Sequence, residues 1–267
     1  MVAVGSYFSV GGDASLFLIS GPCQLESRDL SMRVCESLKR TTEKLKINFA
    51  FKSSYDKANR TSLAGSRGFG IEEGLRILQE IRAAFHVPIV TDVHTEEEAR
   101  IAGEVVDVIQ IPAFLCRQTD LLIAAGKTTK AVNIKKGQFL HPADMRYAAE
   151  KVASTGNQNI FLCERGTCFG YRDLVVDYRG MLIMKETGYP VIFDATHSVQ
   201  SMGGSGGSSS GNRSYVLPLS KAAAAIGVDG LFIECHPDPD NAPSDGPNMV
   251  HLHDMEQLLE AVLRAKA

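Results

Sequence analysis

Residues 71–91 read IEEGLRILQEIRAAFHVPIVT, and the pairing inside this short unit decides the fold. Ile71, Leu75, Leu78, Ile81 and Phe85 step by three or four, which puts them on one face of a helix over Ile71–Phe85. The run at 88–91 is short, apolar and β-branched, as suits a strand buried on both faces of a parallel sheet. Working outward, the pairing recurs. Strands are expected at 16–19, 48–51, 88–91, 106–111, 131–134, 160–163, 191–194 and 230–234. Helical periodicity returns at 30–45, 174–187, 217–226 and 255–265. It also returns in a segment opened by Pro142, a residue tolerated in a first turn, and closed by Gly156. Eight strands, each followed by a helical segment, predict an α/β fold: a (β/α)8 TIM barrel over residues 1–267 as one catalytic domain. An open doubly wound sheet is the rival, but it usually has fewer strands. The piece at 2–13 reads as a hairpin closing the bottom of the barrel.

Composition narrows the function. Of 267 residues, 44% are hydrophobic, which excludes global disorder. Lys and Arg number 28 against 31 Asp and Glu, a formal net charge of −3, so no basic excess exists to hold a nucleic acid. No run approaches the ~20 apolar residues of a membrane span. The N-terminal residues lack a basic and then apolar leader, so a cytoplasmic protein is expected. Cys23, Cys35, Cys116, Cys163, Cys168 and Cys235 are scattered, and in a reducing compartment they read as mostly buried free thiols.

Two long loops follow strand C-termini, the end where barrel enzymes build their sites. Residues 53–70 carry Lys57, Asn59, Arg60, Thr61 and Arg67. Residues 200–213 contain a glycine/serine run that reads equally as a flexible connection or a lid. The strand ends themselves carry Cys23, Lys52, Asp92, Gln110, Lys135, Arg165, His197 and Glu234. A lone lysine after a strand is usually just solvated. Eight polar ends out of eight are harder to assign to surface composition.

These residues divide by chemistry. Lys52, Lys57, Arg60, Lys135 and Arg165 gather cations at one mouth, and uncompensated cations call for an anionic ligand such as phosphate or carboxylate. Cys23, His197, Glu234 and Asp245 combine a thiol, an imidazole and two carboxylates, suiting a borderline divalent ion such as zinc, iron or manganese. Their spacing alone is unspecific. Position after strands one, seven and eight singles them out, because those strands are neighbours in a closed barrel. His94 and His236 are spare candidates.

The string Phe51-Lys52-Ser53-Ser54-Tyr55-Asp56-Lys57-Ala58-Asn59-Arg60 resembles the signature of the 3-deoxy-D-manno-octulosonate 8-phosphate synthase family. The resemblance continues through Thr91-Asp92-Val93-His94, Ile109-Gln110-Ile111-Pro112-Ala113-Phe114-Leu115 and Arg117-Gln118-Thr119-Asp120. It extends to Asn133-Ile134-Lys135-Lys136, Leu162-Cys163-Glu164-Arg165-Gly166, Phe193-Asp194-Ala195-Thr196-His197-Ser198 and Glu234-Cys235-His236-Pro237, so it spans nearly the whole chain in order. It implies condensation of phosphoenolpyruvate with arabinose 5-phosphate and water in Kdo biosynthesis, by a cytosolic homotetramer. It further implies that Lys57, Lys135 and Arg165 hold phosphoenolpyruvate, with Lys52 and Gln110 beside them. Asn59, Arg60 and Thr61 would hold the pentose phosphate, Asp92 its hydroxyls, and Arg117 would reach its phosphate across a subunit boundary. Lys57, Asn59, His197 and Asp245 are the expected catalytic residues. Cysteine at position 23, where the metal-independent class has asparagine, implies the metal-dependent class with ligands Cys23, His197, Glu234 and Asp245. Two rivals stand beside this reading. One is 3-deoxy-D-arabino-heptulosonate 7-phosphate synthase, which typically has a Lys-Pro-Arg-Thr-type run where Lys57-Ala58-Asn59-Arg60 stands; the other is a non-catalytic phospho-sugar-binding barrel.

Overall fold

The computed structural model describes residues 1–59, 63, 65–170, 173–205 and 208–266. Arg60 and Thr61 lie outside the described residues. Eight parallel strands form the barrel: β1 (Phe17–Gly21), β2 (Asn48–Lys52), β3 (Ile89–Asp92), β4 (Val108–Ile111), β5 (Ala131–Lys135), β6 (Ile160–Glu164), β7 (Val191–Asp194) and β8 (Gly230–His236). Each pairs with the next, and β8 pairs with β1, so the sheet closes. One helix follows each strand: α1 (Arg28–Leu45), α2 (Ile71–Phe85), α3 (Glu96–Gly103), α4 (Thr119–Lys127), α5 (Met145–Ala153), α6 (Tyr178–Lys185), α7 (Val216–Ala225) and α8 (Met255–Lys266). The barrel expected from the sequence is therefore present, with strand limits displaced by two residues at most.

Strand periodicity explains why one barrel holds both a core and a site. Side chains alternate across a strand, so residues two apart share a face. Phe17, Ile19, Ala50, Val90, Val108, Ala131, Phe161, Cys163, Ile192 and Phe232 point inward and fill the lower barrel. Val2, Val4 and Val10 join them from an antiparallel hairpin, Val2–Val4 with Phe8–Val10, which closes the bottom as expected. The opposite register, including Leu18, Phe49, Ile89, Ile109, Ile134, Leu162 and Ile233, packs beneath the helices. Continuing the inward register upward by two residues gives Lys52, Asp92, Gln110, Arg165, Asp194 and Glu234, and by four from Ala131 gives Lys135. The site is the top layer of the barrel interior.

Two expectations need correction. The helix expected over 174–187 begins only at Tyr178, because Leu174 and Val175 pair with Cys168 and Thr167 and the Asp177 side chain caps the helix by accepting from the Arg179 amide. The glycine/serine segment is not an unstructured connection: Gln200–Ser205 pairs antiparallel with Ser208–Gly211. Glycine is required at position 211, where a Cβ would fall 1.7 Å from Asn248 Oδ1 and 2.5 Å from the Val199 carbonyl oxygen. Among the described residues no helix is long and apolar enough to cross a membrane.

Candidate active site

Cys23 is placed by an extension of the β1–β2 ladder beyond the strands. The Ser54 amide donates to the Cys23 carbonyl at 3.4 Å, the Leu25 amide to the Ser54 carbonyl at 3.0 Å, and Ser53 Oγ to the Pro22 carbonyl at 3.0 Å. Gly21 lies so close to β2 that a Cβ there would sit 2.0 Å from the Lys52 carbonyl oxygen, so only glycine lets the two strands meet at this height.

The four expected metal ligands converge. Cys23 Sγ is 3.1 Å from Asp245 Oδ2, and Cys23, Glu234 and Asp245 each offer a ligand atom within 4.8 Å of the others. His197 Nε2 stands 3.5 Å from Glu234 Oε2 and 3.7 Å from Asp245 Oδ2. Glu234 Oε2 is buried without a hydrogen-bond partner among the described residues. An orphaned carboxylate oxygen facing a thiol, an imidazole and a second carboxylate is the donor set a divalent ion requires. Burial, with Glu234 next in effect, drives the Cys23 thiol well above its ordinary range. A cation among these donors would favour the thiolate and release that proton.

Asp194 organises this centre from below and was not singled out by sequence. Its Oδ1 accepts from the His197 amide at 2.9 Å, which fixes the turn after β7, and its Oδ2 lies 2.8 Å from His197 Nδ1. That contact commits Nδ1 and leaves Nε2 for the cluster. Burial opposes ionisation of Asp194, but the charges of His197 and Lys135 win and hold it well below the usual carboxylate range. Its inward register, two residues beyond Ile192, was the available signal. Gln200 was also missed. Its Nε2 donates to Asp245 Oδ1 at 3.0 Å and its Oε1 accepts from Arg165 Nη2 at 3.0 Å, so it links the two halves of the site. Asp245 itself sits in the left-handed region with φ 51°, a conformation that aspartate tolerates better than most residues.

The cations are less uniform than their sequence positions imply. Lys52 Nζ lies 3.0 Å from Glu234 Oε1 and 3.7 Å from Asp92 Oδ1, and Ser54 Oγ donates to Asp92 Oδ1 at 2.5 Å. Burial works against the Asp92 charge, and Lys52 leads the groups that outweigh it and hold Asp92 well below its usual range. Lys135 Nζ lies 2.5 Å from Asp194 Oδ2 and 3.7 Å above the Phe232 ring. Both lysines are therefore compensated within the protein, contrary to the expectation of a wholly unpaired cluster. Arg165 differs: it is buried, and its Nη1 has no partner among the described residues. Burial alone would lower the Lys57 ammonium, but the surrounding Cys23, Glu234, Asp92 and Asp245 raise it instead, so it stays charged. Gln110 faces the same cavity, its Oε1 accepting from Asn133 Nδ2 at 3.1 Å.

Asn59 and Arg117 are exposed. His94 belongs to a neighbouring network, with Nδ1 2.9 Å from Glu98 Oε2 and Nε2 3.5 Å from Asp92 Oδ2. His236 Nε2 faces Glu26 at 3.2 Å. Neither spare histidine joins the four donors. All six cysteines are free.

Known proteins are similar to this chain over nearly its whole length. The sequence model of the DAHP synthetase I family matches residues 2–266. A Synechococcus protein named 2-dehydro-3-deoxyphosphooctonate aldolase is 52% identical over 263 residues, 98% of this chain and 93% of that protein. Proteins of the same name from Granulibacter bethesdensis and Agrobacterium fabrum are 56% identical over 259 residues and 57% over 246. They align with 97% and 92% of this chain, and with 92% and 87% of their own lengths.

Proposed function

This chain belongs to the DAHP synthetase I family, and from that membership and its similarity to 2-dehydro-3-deoxyphosphooctonate aldolases we infer a Kdo 8-phosphate synthase. It condenses phosphoenolpyruvate with D-arabinose 5-phosphate and water, giving 3-deoxy-D-manno-octulosonate 8-phosphate and inorganic phosphate. The observation that carries this reading in the structure is a buried, half-unpartnered guanidinium at Arg165 beside the Cys23, His197, Glu234 and Asp245 cluster.

The reaction makes two bonds to phosphoenolpyruvate and breaks one. Its C3 bonds to the aldehyde carbon, whose oxygen takes up a proton. Water adds at C2 and gives up a proton, and the hemiketal phosphate then expels inorganic phosphate to leave the ketone. Two multiply charged anions must approach each other, so positioning against their repulsion is the main task. Arg165, with Lys135 and Lys57, holds phosphoenolpyruvate, and Lys52 and Gln110 flank it. Asn59, Arg60 and Thr61 take the pentose phosphate, with Asp92 at its hydroxyls. Lys57 is charged throughout the neutral range, so its part is electrostatic: it stabilises the oxyanion developing on the aldehyde.

Cys23, His197, Glu234 and Asp245 would hold a divalent ion such as zinc, iron or manganese, which when bound would supply positive charge to the reaction. Local charge supports this. Among the described residues around the four donors, four cations (Lys52, Lys57, Lys135, Arg165) meet four carboxylates (Asp92, Asp194, Glu234, Asp245), so net positive charge for the anionic substrates must come from Arg60 at the pentose phosphate and from a bound ion. His197, with Nδ1 held by Asp194, presents Nε2 as a donor.

The same reading makes the enzyme a cytoplasmic homotetramer. Unpaired cysteines suit a reducing compartment. Phe114 and Phe139, 53% and 62% exposed after β4 and β5, are large apolar groups of the kind a second copy would cover beside Arg117.

Phosphate release measured with each aldose phosphate tests the activity. Arabinose 5-phosphate is expected to exceed erythrose 4-phosphate by about 100-fold or more in kcat/KM. Equal use of the two would favour the heptulosonate reaction. Ligand binding without phosphate release would favour a non-catalytic barrel.

A further inference from the structure

Behind the site, on the register that faces the helices, the ends of β5 and β6 carry a buried ion pair where the other strands have uncharged side chains. Lys136 is 0% and Glu164 2% exposed, with Nζ 3.5 Å from Oε1. Lys136 Nζ also lies 3.3 Å from each of the Gly137 carbonyl, the Gly166 carbonyl and Thr167 Oγ1. Glu164 Oε1 accepts from the Arg165 amide at 2.9 Å and the Gly166 amide at 2.6 Å. The Lys136 amide donates to the Cys163 carbonyl at 2.8 Å, carrying the β5–β6 ladder past the strand ends. Gly166 has φ 87°, in the left-handed region, so the chain turns sharply just after Arg165.

Burying two charges costs more solvation than their attraction commonly returns, so such a pair is weak evidence of stabilisation. Its contacts point to another role. Among the described residues, every hydrogen bond its side chains make outside the pair goes to backbone or to Thr167 within the two turns that follow Lys135 and Arg165. Lys135 and Lys136 are adjacent, as are Glu164 and Arg165, and alternation sends one of each to the cavity and the other to the wall.

We propose that Lys136 and Glu164 are positioning residues that lock these two turns together and so fix Lys135 and Arg165 for binding phosphoenolpyruvate. This rests on the reading of the site given above. A displacement of about 1 Å in a binding group can cost on the order of 100-fold. The effect therefore belongs in the binding of one substrate and not in general stability.

The test is the double variant Lys136→Met/Glu164→Gln, with thermal unfolding and steady-state kinetics measured on the same full-length, metal-loaded preparation. Neutral replacement of both partners is expected to leave Tm unlowered. KM for phosphoenolpyruvate is expected to rise about 10- to 100-fold, while kcat and KM for arabinose 5-phosphate stay within about twofold. A native KM for phosphoenolpyruvate, or equal rises for both substrates, overturns the proposal. Arg165→Ala is run beside it. If Arg165→Ala raises that KM and the double variant does not, the proposal fails and the site reading stands. If Arg165→Ala has no effect, the site reading fails and takes the proposal with it. Should the double variant not fold, Glu164→Gln alone keeps the shape and the backbone acceptor. A rise of about threefold or more is expected there, and its absence is decisive against the pair.

Discussion

Stripping the protein of divalent ions with a chelator is expected to lower turnover about 1000-fold, and adding back one borderline ion to restore it. The size follows from the charge balance. Among the described residues four cations and four carboxylates cancel, and Arg60 serves the pentose phosphate, so the added charge of phosphoenolpyruvate is uncompensated unless a further cation enters. Several kcal/mol of transition-state stabilisation is the ordinary scale for such an ion, and each ~1.4 kcal/mol is tenfold in rate. Cys23→Ala should reproduce the loss, because it removes the thiol that lies 3.1 Å from Asp245 Oδ2 and leaves Glu234 Oε2 still unpartnered. Metal content and phosphate release, measured on the same samples, check it. Full turnover in a thoroughly demetallated preparation would end the ligand assignment.

Arg165→Ala is the second large effect. KM for phosphoenolpyruvate should rise by about 100- to 1000-fold, with a much smaller change for arabinose 5-phosphate. Arg165 is buried, among the described residues its hydrogen bond runs from Nη2 to Gln200 while Nη1 has no partner, and burial already pulls the guanidinium down from its ordinary value. A desolvated cation of this kind gains its full complement of bonds only when an anion arrives. Lys135 offers less, since Asp194 and the Phe232 ring already engage it. Lys135→Met is therefore expected to raise the same KM by less than Arg165→Ala, although the two residues looked equivalent in the sequence. Steady-state titration of phosphoenolpyruvate at saturating arabinose 5-phosphate separates the two.

Much of this was legible in the chain because strands buried on both faces leave a nearly continuous apolar trace. β6 shows it best: Ile160–Glu164 is apolar until its last residue, which changes character where the barrel opens. The proposed metal donors could be grouped from the sequence because barrel closure makes strands one, seven and eight neighbours. Asp194 was overlooked because it was counted as the end of a strand, and its inward register was not followed. Gln200 and the 200–211 hairpin were illegible for a different reason. Glycine and serine have little strand propensity, so pairing there comes from backbone hydrogen bonds and from the close approach at Gly211, neither of which a side-chain pattern records. Leu174 and Val175 fit a helical period by coincidence and were claimed by a neighbouring two-residue strand. Lys136 and Glu164 carry no separate signal in the sequence, since only the alternation of facing separates them from Lys135 and Arg165.

One shared cavity, with a thiolate-bearing divalent centre next to the phosphoenolpyruvate site, is tested most directly by loading metal-stripped protein with cobalt(II) and recording its absorption. A sulfur-to-metal charge-transfer band is expected in the unaltered protein and should be absent from Cys23→Ala. Saturating phosphoenolpyruvate alone should perturb the cobalt spectrum, because Lys135 stands 3.4 Å from His197 Nδ1 and Gln200 joins Arg165 to Asp245. A band that survives in Cys23→Ala, or a spectrum that phosphoenolpyruvate leaves unchanged, would contradict the shared cavity.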